Sequence, residues 1–239
     1  MRIIVLSFII LVAVMSPLWA ESDPPVGIRT MTIVTSDTGR EVVLTMWYPA
    51  GTGGETLLVG DTPVFLGVTA RSDASIEDGS FPLVLVSHGG MRSAPNMAGW
   101  IGFGLARHGF VVAVVRPPGL GPRDAAAAVS EVWKRPADLS AVITALEHDP
   151  GWAAHIDFDR IGSLGFFLGG TTVLSLAGAR MSAEGYARSC DEGSTAVDCG
   201  WFAVNDVDLR EIDVRPSARS NRDSRIKVAI AVDPELTAI

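Results

Sequence analysis

The chain has 239 residues, 48% hydrophobic and 19% charged, with 25 Gly and 14 Pro, which suits one globular domain and excludes a disordered or collagen-like chain. Its 19 Lys and Arg against 27 Asp and Glu leave a formal charge of −8 with no basic run, which argues against a nucleic-acid partner. Two cysteines cannot build a four-ligand structural zinc site or an iron–sulfur cluster, and no fixed-period repeat points to a solenoid or propeller.

The N-terminus reads as an address. Arg2 precedes an apolar stretch from Ile3 to Met15, then Ser16-Pro17-Leu18-Trp19-Ala20 before the polar Glu21. A positive start, an apolar stretch of that length and a small residue before a polar segment describe a secretory signal peptide, with residues 1–20 removed after Ala20. An uncleaved anchor is the alternative reading of the same segment. Export implies a secreted or periplasmic protein, no stable membrane span after cleavage, and an oxidising compartment. There Cys190 and Cys199, which bracket a short polar loop, are expected to form a disulfide.

From residue 21 onward the pattern is that of a single domain of alternating strands and helices. Ile28 to Val34 and Glu41 to Tyr48 are β-rich runs separated by Ser36-Asp37-Thr38-Gly39, a hairpin signal. Residues 49 to 80 are rich in Gly, Asp, Thr and Ser and read mostly as loop. Phe81 to Val86 is a continuous apolar run ending at Ser87-His88-Gly89-Gly90, as expected of a strand buried on both faces of a parallel sheet. A helix is predicted over about Asn96 to His108, with Trp100, Phe103, Leu105 and Ala106 on its apolar face. Phe110 to Val115 is the next buried strand, and Leu139, Val142, Ile143 and Leu146 form a helical stripe. Arg160 to Gly165 is a short strand entering a glycine-rich turn and an apolar helix to about Ala179. Residues 181 to 225 form a polar excursion, and Ile226 to Val232 is a final buried strand before Asp233-Pro234. Alternating strand and helix predicts an α/β fold with a mostly parallel, doubly wound sheet.

Five pieces carry a resemblance: Trp47-Tyr48-Pro49-Ala50, Val86-Ser87-His88-Gly89-Gly90, His108-Gly109-Phe110-Val111-Val112, Gly165-Phe166-Phe167-Leu168-Gly169-Gly170 and Ala231-Val232-Asp233-Pro234. In this order they resemble the α/β-hydrolase fold, over roughly Met46 to Asp233. They most resemble the secreted dienelactone-hydrolase-like and platelet-activating-factor-acetylhydrolase-like esterases. The resemblance implies a Ser-dependent carboxylic-ester hydrolase without cofactor or metal, acting on a small ester or lipid-like ligand. It implies a nucleophile elbow, Gly-x-Ser-x-Gly, where glycines let the chain turn and lift the serine above the sheet. Here Phe167 stands at the serine position, and a phenyl ring cannot form an acyl-enzyme. Ser163, inside the predicted strand, is a poor substitute.

By the same resemblance the oxyanion hole is formed by the amides of Gly90 and Leu168, and Asp233 is a possible triad acid. His88 is then structural. The four histidines, His88, His108, His148 and His155, all precede Phe167, whereas the fold orders nucleophile, acid, histidine. The expectation is a C-terminally truncated esterase-type scaffold that is catalytically inactive. The alternative is a non-catalytic secreted protein that binds a lipid or ester in the same pocket.

Overall fold

The computed structural model describes residues 24–35, 39–89, 98–116, 123–130, 132–191, 194, 198–213 and 215–235. The leader at 1–20 and the turn residues Ser36, Asp37 and Thr38 lie outside the described residues. Eight strands make one sheet: β1 (Val26–Val34), β2 (Glu41–Pro49), β3 (Glu55–Val59), β4 (Val68–Ser72), β5 (Phe81–Ser87), β6 (Val111–Arg116), β7 (Ile156–Phe166) and β8 (Ile226–Val232). Their order across the sheet is β3-β4-β1-β2-β6-β5-β7-β8. β5, β6, β7 and β8 run parallel, whereas β2 is antiparallel to both its neighbours. The expected hairpin is present, with Val34 opposite Glu41.

Seven helices accompany the sheet among the described residues: α1 (Gly99–Ala106), α2 (Ala125–Ser130), α3 (Arg135–His148), α4 (Pro150–Ala153), α5 (Leu168–Ala177), α6 (Ala183–Ala187) and α7 (Asp198–Val204). None of them is long and apolar enough to cross a membrane. The continuous apolar run of β6 explains the layering. A strand alternates faces with period two, so Val111, Ala113 and Val115 join the α3 side, with Leu139, Val142 and Leu146. Val112 and Val114 join the α1 side, with Trp47 and Ala106. Burying each such large side chain stabilises by about 1.5–3 kcal/mol, so a strand apolar on both faces ties the two layers together. The sheet is doubly wound, as expected.

Four expectations need correction. Residues 49 to 80 contain two strands, β3 and β4, an edge hairpin whose exposed face is polar enough to read as loop. The first helix ends at Ala106 rather than His108, its expected start at Asn96 lying outside the described residues, and it lays its small face, with Gly99, Gly102 and Ala106, over the sheet. Trp100 therefore points outward, at 65% exposure. The strand read from Arg160 begins earlier, at Ile156, and carries a register shift between Ile161 and Gly162. Finally, β8 has the predicted bounds but is not buried on both faces: Val228, Ile230 and Val232 are exposed.

The polar excursion at 181–225 also holds more structure than its composition suggests. Met181, Tyr186, Trp201, Phe202 and Leu209 form a second core with Ala125, Val129 and Leu168. Cys190 and Cys199 are joined by a disulfide across a sequence separation of 9, with Cα atoms 5.4 Å apart.

Candidate functional site

The sharpest feature of the backbone is the passage from β7 to α5. One residue, Phe167, makes the reversal, at φ 52° and ψ −122°. L-residues rarely adopt positive φ, and holding one there costs about 1–3 kcal/mol unless its surroundings over-determine it. The glycines explain how. A Cβ on Gly165 would lie 2.0 Å from the Gly169 carbonyl oxygen, and one on Gly169 would lie 2.0 Å from that of Ser87. Only without both can the first turn of α5 drop against the ends of β5 and β7. Hydrogen bonds then pin the turn: the Phe167 N–H donates to Val232 O at 3.1 Å, and its carbonyl accepts from Thr171 N at 3.2 Å and Glu235 N at 3.3 Å. Leu168 opens α5, so its N–H belongs to the first turn of amides that the helix cannot satisfy internally.

The turn after β5 lies alongside. A Cβ on Gly89 would stand 3.1 Å from the Phe167 Cβ, so the two turns touch. Gly90, expected to supply an oxyanion amide, lies outside the described residues. His88 is buried, and its Nδ1 lies 3.1 Å from Gly89 O. Burial and the nearby Arg135 guanidinium lower its pKa to about 4, so the ring is neutral at pH 7. Arg135 is itself buried, donating to the His88 carbonyl and, at 3.3 Å, to Ser87 Oγ. Its own pKa falls to about 10 through burial, against the opposing pull of Asp138 and Asp198. Asp138 in turn accepts from Arg40 at 3.2 Å. A cavity of about 170 Å³ sits over the two turns, lined by His88, Gly89, Trp100, Ile101, Phe166 and Phe167 together with Ala98.

The third contributor is the segment after β8. Asp233 is exposed, at φ 45°. Glu235 is the carboxylate drawn inward: it is buried, its N–H reaches Phe167 O, and its Oε2 accepts from Asp198 N at 3.0 Å. Thr171 Oγ1 donates to its carbonyl. Ser163 is buried within β7, and its Oγ has no hydrogen-bond partner among the described residues. His108 and His148 each reach back one turn, their Nδ1 atoms 2.7 Å from Gly104 O and Thr144 O.

The structure thus gathers Phe167 and the His88-Gly89 turn around one cavity, buries the Leu168 side chain in the second core, and leaves the Asp233 side chain at the surface. Arg135 and Glu235 escaped the sequence reading. Arg135 had one signal, a cation in the first turn of a helix, where the dipole favours anions.

The chain matches no protein-family profile and no curated protein. Among solved structures it is similar to a ferulic acid esterase from Streptomyces cinnamoneus, with 23% identity, a TM-score of 0.50, and coverage of 64% of this chain and 55% of that one. The fold is that of the α/β-hydrolases. Similarity also extends to the esterase Est22, at 19% identity and a TM-score of 0.37, covering 72% of this chain and 42% of that enzyme. The chain therefore spans about half the length of these α/β-hydrolase neighbours.

Proposed function

We propose that this chain is an ester-hydrolase scaffold of the dienelactone-hydrolase-like and acetylhydrolase-like kind that lacks esterase turnover, exported to the periplasm or outside the cell. The observation that carries the reading is Phe167 at φ 52° in a strand-to-helix turn closed by Gly165 and Gly169. That backbone is the strained turn on which hydrolases of this fold mount a nucleophilic serine. In this reading Phe167 occupies the nucleophile position. By the resemblance, the oxyanion donors are the amides of Leu168 and Gly90, and the acid is Asp233. A ring in place of a hydroxyl removes the attacking atom.

A second reading is favoured by the cavity itself. About 170 Å³ lined by Trp100, Phe166 and Phe167 offers an apolar pocket to a small ester or lipid-like ligand without any chemistry.

The test is hydrolysis of p-nitrophenyl acetate with parallel labelling by a fluorophosphonate. The chain is expected to show no turnover above buffer and no label. Turnover by the unmodified chain that disappears in Ser163→Ala would overturn the assignment of the turn.

A further inference from the structure

The tip of the β3–β4 hairpin is built differently from the other loops. Residues 60 to 67 carry Val64, Phe65 and Leu66 in succession, with Val64 82% and Leu66 96% exposed. Leu58 from β3 and Trp100 from α1 add further exposed apolar surface. Phe65, Leu66, Val59, Val68 and Trp100 line a cleft of about 410 Å³ between hairpin and helix, and no charged side chain is among its described lining residues. Trp100 also lines the cavity over Phe167, so cleft and cavity are neighbours.

Part of the tip's backbone is satisfied from within. Asp61 Oδ1 accepts from Gly67 N at 3.0 Å, and Thr62 Oγ1 accepts from Phe65 N at 3.0 Å and Val64 N at 3.3 Å. Thr62 N donates to Phe65 O at 2.9 Å, and Pro63 has no N–H to satisfy. A loop that settles into a lipid interface loses less when its backbone N–H groups already have partners, because unpaired ones are costly in an apolar medium. Here the N–H groups of Thr62, Val64, Phe65 and Gly67 keep partners while the large apolar side chains are presented outward. Charge narrows the partner further: a chain at −8, with no basic residue lining the cleft, is repelled by an anionic leaflet.

We propose that Val64, Phe65, Leu66 and Trp100 form a docking surface for an electrically neutral lipid interface, which the hairpin tip enters. Aromatic and aliphatic side chains at such a boundary gain both from burial and from the amphipathic indole ring. The proposal stands apart from the ester-handling reading, since docking is measured without any ester.

The test uses the full chain with one thiol-reactive, polarity-sensitive fluorophore. Cys190 and Cys199 are disulfide-bonded, so a new cysteine is the site that labels. Leu66→Cys reports on the tip; Val34→Cys, also exposed but beside α3 on the opposite layer, is the control that shares the same N-terminal segment. With phosphatidylcholine vesicles the label at 66 is expected to shift to the blue and the label at 34 to stay unchanged. Phe65→Ser with Leu66→Ser is expected to weaken vesicle partition about 100-fold at unchanged fold, about tenfold per buried side chain. Equal emission at both sites on vesicle-bound protein overturns the proposal. So does a shift that requires phosphatidylserine, or one that grows with protein concentration in the absence of vesicles, which would place a second copy on the tip.

Discussion

Two turns lie side by side at the carboxyl ends of β5 and β7, and they differ in what they offer. The turn after β5 holds polar groups in a dry setting, with neutral His88 against Gly89 O and Arg135 beneath its carbonyl. The turn after β7 has the more demanding backbone, yet presents the ring of Phe167. The contrast teaches that shape and chemistry are specified by different residues. Gly165 and Gly169 dictate the reversal because nothing larger than hydrogen fits, while residue 167 alone decides what the reversal displays. The same turn can therefore display a hydroxyl or a ring without changing its backbone.

The strongest way to break this comparison is to give the second turn a side chain where it has no room. Gly165→Ala and Gly169→Ala each place a Cβ 2.0 Å from a backbone carbonyl oxygen, and backbone on both sides is held by sheet and helix bonds. Each variant is expected to lose about 4 kcal/mol or more, beyond the usual range for single substitutions. In practice that means no cooperative melt. A Gly165→Ala protein melting within a few degrees of the wild type would show that β7 and α5 do not meet so closely.

The first turn is sharpened by pH. The His88 pKa is lowered from 6.5 to about 4 in the folded chain, first by burial and then by Arg135. As pH falls below 6.5 the unfolded state takes up a proton that the folded state refuses, so stability is lost progressively. The loss ends near pH 4, where the folded state protonates too. Between pH 7 and 4.5 this single group is expected to remove about 2–3 kcal/mol. Urea titrations at the two pH values measure it, with His88→Asn as the variant in which that portion of the loss vanishes. An unchanged pH dependence in His88→Asn would mean that the ring is solvated.

Much of the frame was legible because burial on both faces leaves a plain mark. The runs at Phe81, Phe110 and Ile226 became β5, β6 and β8 within a residue or so at each end. What that mark hides is whether both faces are in fact covered, and Val228, Ile230 and Val232 show one that is not. The edge hairpin β3–β4 was missed because an exposed strand needs no apolar alternation and its Gly and Asp mimic a loop. At the site, the glycine spacing around Phe167 could be read, since close approach permits one residue type only. Arg135 and Glu235 could not, because a buried guanidinium or an inward carboxylate is positioned by tertiary packing, and in sequence each looks like surface charge.

The finest test asks whether the turn after β7 keeps its strained backbone in solution, and it rests on comparing two truncations of the same ring. At ordinary positions Ala is more stabilising than Gly by about 0.5–1 kcal/mol, because glycine has more freedom to lose on folding. At φ 52° and ψ −122° the order should reverse. Phe167→Ala gives up the contacts of the partly buried ring and keeps the strain of a Cβ at positive φ. Phe167→Gly gives up the same contacts but releases about 1–3 kcal/mol of strain. After subtracting the entropy of glycine, Phe167→Gly is expected to be more stable than Phe167→Ala by about 1 kcal/mol, and to lie within about 1 kcal/mol of the wild type. Urea unfolding of the three proteins side by side decides it. If Phe167→Ala is the more stable truncation, residue 167 does not sit at positive φ, and the turn loses the feature that likens it to a nucleophile elbow.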